Sequence, residues 1–198
     1  MKTEESWKDN LDKFSLEQRS LIEGGVLSKR FSSLPLTLSH PVFISSFYGF
    51  LLSIILLLPF AYGSNWDYNI WISGWLLYSL LLLLLLSVLG GISSLMIKVT
   101  KRFPISVPRK FNYLSPFLGL ILLTSSIGFN NSPSWLDNLG LFLMIFPGPV
   151  YVHLSWAPRW RLLDLLDQGI NPFEGTTDKS FTDDDFEINE IIESFSEE

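Results

Sequence analysis

Asp67 and Asp137 each stand beside or near a tryptophan, Trp66 and Trp135, in stretches that read as turns. Paired carboxylates bind a cation or share a proton. The competing use, ordinary for Asp in a turn, is to accept hydrogen bonds from the local backbone. His40 and His153 form the other constellation with chemical content. Together with Arg159 and Arg161 they are of the right types to touch a phosphate headgroup, and turnover there would make a lipid-active enzyme. A metal site needs a third ligand close by, and no spaced cluster supplies one. The last chemical feature is backbone rather than side chain. Pro147-Gly148-Pro149 interrupts an apolar run, and each proline deprives the carbonyl one turn back of its donor, near Leu143 and Ile145. Irregular backbone of this kind lines a solute cavity in some transporters, and elsewhere it is a kink fitted against a neighbouring helix.

Other chemistry is missing. The chain has no Cys, which excludes disulfides, thiolate metal sites and cysteine nucleophiles. No phosphate-binding Gly-rich loop, His-Glu-x-x-His or Gly-x-Ser-x-Gly pattern occurs. The reading is therefore of a protein that is not an enzyme, with no catalytic residue, cofactor or metal.

The elements that must position these residues are four long apolar stretches, about 42–62, 70–97, 112–129 and 135–156. Residues 80–86 are an unbroken run of Leu. About 20 apolar residues cross a bilayer core as a helix, and a domain of 198 residues cannot hide four such helices on every face. None of the stretches carries an ionisable residue near its centre, which argues against a proton-coupled pump and an intramembrane protease.

All 14 Lys and Arg lie in three places: six before the first stretch, five between the second and third (Lys98, Lys101, Arg102, Arg109, Lys110), and three after the fourth. The loops near 63–69 and 130–134 have none. Basic segments are retained in the cytoplasm. The predicted fold is thus an all-α integral membrane protein, a bundle of four transmembrane helices with cytoplasmic or stromal N- and C-terminal extensions. Which membrane it occupies is open. No cleavable signal peptide is visible in the first 41 residues, so the first span is expected to direct insertion.

Four regions follow. Residues 1–40 form an amphipathic arm, with Trp7, Leu11 and Phe14 on one helix face, then Ser15 and Gln18 as a capping box and Gly24-Gly25 as a stop. Residues 41–157 hold the spans, the first opened by Pro41. In the second, Ser87/Gly91 and Gly90/Ser94 are small-xxx-small pairs for close helix packing, within the bundle or across a homodimer seam. Residues 158–173 are predicted to be an interfacial helix, anchored by Trp156 and Trp160 before it ends at Gly169 and Asn171-Pro172.

Residues 174–198 form an acidic tail, expected to be disordered when free. Ten acidic residues against Lys179 give it a charge of −9, so the rest of the chain is +3 within a total of −6. Ile188, Ile191, Ile192 and Phe195 fall at i, i+3, i+4 and i+7, an apolar helix face suited to a groove on a protein partner. Asp183, Asp184 and Asp185 would steer it toward a basic surface.

The basic loop at 98–110 is expected to meet anionic lipid headgroups, which accounts for its charge without nucleic acid. The leading functional reading is an assembly factor, accessory subunit or adaptor of a larger membrane complex, acting through these extensions. The alternative is a small transporter or channel subunit with its solute site at Pro147-Gly148-Pro149.

Overall fold

The computed structural model describes residues 14–128 and 133–173. Trp7, Leu11, the Asn130-Asn131-Ser132 turn, and the tail with Asp183, Asp184, Asp185, Ile188, Ile191, Ile192 and Phe195 lie outside the described residues. Those described are helical, with no strand among them. Their order is α1 (Leu16–Glu23), α2 (Val26–Ser32), α3 (Pro41–Gly63), α4 (Tyr68–Thr100), α5 (Arg109–Gly128), α6 (Ser134–Ile145), α7 (Pro147–Tyr151), a π-helical turn (Val152–Trp156) and α8 (Ala157–Asp167). Helix α3, helix α4, most of α5, and the run from α6 through α8 are each long and apolar enough to cross a membrane.

Local sequence explains the boundaries. Ser15 and Gln18 form a reciprocal capping box at the start of α1, and Gly24 ends it at φ +61°. Pro41 occupies the first turn of α3, where its missing N–H leaves no bond unmade, and His40 accepts from the Val42 amide through Nδ1 at 3.3 Å. Asp67 caps α4 by accepting from the Asn69 amide at 3.1 Å. Lys101 ends that helix in the left-handed region.

Two close-packed hairpins make up the spans. In the first, Gly90 of α4 lies where an added Cβ would come within 2.7 Å of the Pro41 carbonyl oxygen and the Ser45 hydroxyl. Ser87 Oγ meets Ser46 Oγ at 2.7 Å, Gly91 faces Val42, and Ser94 Oγ meets His40 Nε2 at 3.3 Å. All four small residues are thus engaged against α3 and its cap within this one chain. In the second hairpin α5 and α6 cross where Gly119 and Gly140 face each other. Leu52, Leu56, Leu82, Leu86, Leu123 and Met144 form the core shared by the hairpins.

A second and larger core sits at the end carrying the basic loop. Ile22, Ile44, Tyr151, Val152, Trp156, Trp160, Leu162, Leu163, Leu166 and Phe173 are buried there, with Phe14, Phe31, Phe103 and Val107 packed around them. The fourth helical path, expected to cross over about 135–156, continues to Asp167. The segment 158–173, expected to be an interfacial helix, packs into the centre of this core, with Leu162 and Leu163 fully buried. Apolar side chains on several faces of α8 require cover on several faces, and α1, α2 and the 101–108 loop supply it. Helices of 33 and 34 residues are about 50 Å long, against roughly 30 Å of hydrocarbon, so their ends have length to spare for such a layer.

Candidate functional site at the basic end

The fourth helical path is defective by sequence, and each defect is a point of attachment. Pro147 has no N–H to give the Leu143 carbonyl, which accepts instead from Ser115 Oγ of α5 at 3.0 Å. The neighbouring Met144 carbonyl accepts from the Tyr48 hydroxyl of α3 at 2.5 Å. The Tyr48 ring lies against Gly148, where any Cβ would overlap it. Pro147, Gly148 and Pro149 thus sit in a position closed by α3 and α5.

The π turn repeats this logic nearer the basic end. There the Ala157 amide bonds back to the Val152 carbonyl, which leaves the His153 carbonyl without its helical donor. Pro158 likewise frees the carbonyl of Leu154. The basic loop fills both: Arg102 Nη2 donates to His153 O at 2.6 Å, and the Ile105 amide donates to Leu154 O at 2.9 Å. Arg161 Nη2 adds a bond at the start of the loop by donating to the Lys101 carbonyl at 3.0 Å.

The N-terminal arm is held in the same way. Trp156, Arg159 and Trp160 fall at i, i+3 and i+4, one face of the helix. Trp156 Nε1 donates to the Ser39 carbonyl at 2.8 Å, and Trp160 Nε1 to the Leu36 carbonyl at 3.0 Å. Between them Arg159 is only 4% exposed. Its Nε donates to the Leu21 carbonyl at 3.1 Å, while Nη1 donates to the carbonyl and hydroxyl of Ser155. No carboxylate among the described residues pairs with it. Ser28 of α2 and the Tyr151 hydroxyl share a further buried bond at 3.0 Å.

The two histidines join α4 to its neighbours. His153 Nδ1 lies 3.2 Å from Ser93 Oγ, and His40 Nε2 lies 3.3 Å from Ser94 Oγ. Since His40 Nδ1 accepts from Val42, the proton of its neutral ring sits on Nε2, facing Ser94. Burial holds this imidazole below its ordinary value of 6.5, Lys98 lowers it further, and Asp164 opposes the shift. Between the lowered value and 6.5 the unfolded chain binds a proton that the folded chain does not, so stability falls as pH drops through that window. His40→Asn keeps a capping acceptor and removes the titration. Unfolding in detergent from about pH 7 to about pH 5 is expected to show a shallower loss in this variant. An unchanged slope would assign the loss to other groups.

The constellations of the sequence come out dispersed. Asp67 caps α4 and Asp137 lies in the first turn of α6. His153, Arg159 and Arg161 each point to a different protein partner and do not converge. No group of three or more metal-ligating side chains occurs among the described residues. Sequence reasoning read Arg159 as a headgroup contact and Trp156 and Trp160 as interfacial anchors, and missed that the three form one buried clamp, although their i, i+3, i+4 spacing was there to be read. It also missed Asp164 and Asp167, which line a cleft with Trp160 and His40. No protein-family model, curated protein or solved structure matches the chain.

Proposed function

We propose that this chain is a non-enzymatic, multi-pass membrane protein that holds or helps assemble a larger membrane complex. In this reading both termini and the basic loop face the cytoplasm or stroma, because the segments rich in Lys and Arg are those retained there. The observation that carries the proposal is the clamp at Trp156, Arg159 and Trp160. Their donors fix the N-terminal arm to the end of the fourth helix. The bundle's buried polar chemistry thus serves the extramembrane ends. Hydroxyls deeper in the spans, such as Ser46, Ser87 and Ser115, bond to neighbouring helices within the chain.

The platform presents two charged features to partners. The basic loop at 98–110 suits anionic headgroups, and the −9 tail after Phe173 suits a basic protein surface, with Ile188, Ile191, Ile192 and Phe195 as anchors. Homodimerisation gains no support from the seam in α4, since Gly90 and Ser94 are buried against α3 and its cap.

The test is the native size of the protein extracted in mild detergent from its own membrane, with and without residues 175–198. The full-length chain is expected to migrate in a large assembly and the truncated chain alone. If both migrate alone, the adaptor assignment is wrong.

A further inference from the structure

Beside the clamp, a shallow cleft of about 450 Å³ opens between the first turn of α3 and the last turns of α8, lined by His40, Phe43, Trp160, Asp164 and Asp167 among others. Asp164 and Asp167 stand three apart on one helix face near the end of α8, whose last turn holds no basic residue, while Arg161, one turn earlier, is turned to the Lys101 carbonyl. Like charges at this spacing repel, and the partial negative charge of a helix C-terminus opposes both. Neither makes an ion pair among the described residues. Asp164 only accepts from Gln168 Nε2 at 3.0 Å. The arrangement weakens the helix by itself and favours a cation beside it.

The other walls narrow the choice of cation. Trp160 forms a largely buried wall, and the His40 ring stands edge-on to it with the two ring centroids 4.5 Å apart. Lys98 stands across that indole, 5.8 Å from its centroid, also without an ion pair among the described residues. Negative and positive charge thus flank one aromatic wall. The mouth continues into apolar surface: Phe43, Phe47 and Phe50, at i, i+4 and i+7 on α3, are all more than half exposed. That stripe runs from the cleft along a helix long enough to span a membrane.

We propose that this cleft binds a phospholipid carrying an ammonium headgroup of the ethanolamine class. The ammonium lies against Asp164 and Asp167, the phosphate lies toward Lys98, and an acyl chain follows Phe43, Phe47 and Phe50. A primary ammonium has three donors for two carboxylates. A basic side chain from a protein partner would satisfy the carboxylates, but would leave Lys98 and the apolar stripe unused. The inference rests on the membrane-spanning part of the proposed function and is independent of the adaptor part.

The experiment is lipid retention by the full-length protein in nanodiscs, read by native mass spectrometry after mild extraction from equal mixtures of phosphatidylethanolamine and phosphatidylglycerol. Wild type is expected to retain the ethanolamine lipid about tenfold over the glycerol lipid, and Asp164→Asn with Asp167→Asn to abolish the preference. Equal retention by wild type, or an unchanged preference in the double variant, overturns the site. Equally effective displacement by soluble phosphoethanolamine or by an oligolysine peptide overturns the lipid as occupant. Thermal unfolding of both proteins in discs of phosphatidylglycerol alone verifies that the variant folds. Alkaline extraction separates the premises: release from the membrane removes the spanning reading and the site together, while an integral protein without preference removes only the site.

Discussion

Arg159→Ala is expected to detach the N-terminal arm from the bundle while leaving the four spans inserted. The guanidinium is buried among acceptors rather than anions, and its position is over-determined. An added Cβ at Gly24 would overlap it, so the left-handed glycine that ends α1 is also the gap through which Arg159 reaches Leu21. Truncation would leave the carbonyl of Leu21 without its donor, strand the Ser155 hydroxyl, and open a cavity beside Trp156. Hydrogen bonds to a charged group contribute about 1.5–3 kcal/mol each, offset by the relief of returning a buried cation to water. A net loss of about 3 kcal/mol for docking of the arm is the expected size. Hydrogen exchange across 16–32 should rise by about two orders of magnitude, with little change in α3 and α4. Arg159→Lys should rescue little, since one ammonium cannot reach both Leu21 and Ser155 with the spread of a guanidinium. Protection of α1 and α2 that survives Arg159→Ala would show that the tryptophans and Ile22 hold the arm without it.

The second large effect lies between α5 and α6. A Cβ at Gly119 would meet the Gly140 carbonyl oxygen at 2.5 Å and the Met144 amide nitrogen at 2.8 Å. These are backbone atoms of a facing helix, so no rotamer change relieves the overlap and the helices must separate. Gly119→Ala is expected to destabilise the hairpin by about 3 kcal/mol. Gly128→Ala is the control, since nothing stands within 4 Å of its Cβ position. Detergent unfolding midpoints check the pair. Equal midpoints for the two variants would mean that the helices do not approach so closely at Gly119.

Much of the architecture was legible one residue at a time. Pro41, the Ser15/Gln18 capping box and Gly24 mark helix ends because capping is a local matter of donors, acceptors and permitted φ. The four apolar stretches are legible because their length and lack of charge hardly depend on what they touch. What covers the end of the fourth helix was not. Tryptophans followed by Leu pairs read as an interfacial helix, since a single sequence does not say what will cover α8. The partners that cover it lie 117 and 124 positions away, at Ser39 and Leu36.

The prolines show the division most clearly. From the sequence alone, Pro147 and Pro158 determine that particular carbonyls lose their helical donors, because a proline nitrogen carries no hydrogen. The distribution of Lys and Arg likewise determines which loops are basic. What becomes of each freed carbonyl was decided only by tertiary structure. Ser115 takes one, Arg102 and Ile105 take the two at the π turn, and the Tyr48 ring fills the space over Gly148. A hydrogen-bond deficit is a property of one residue and can be counted along a chain. Its satisfaction depends on which distant donor the packing of the whole brings within about 3 Å.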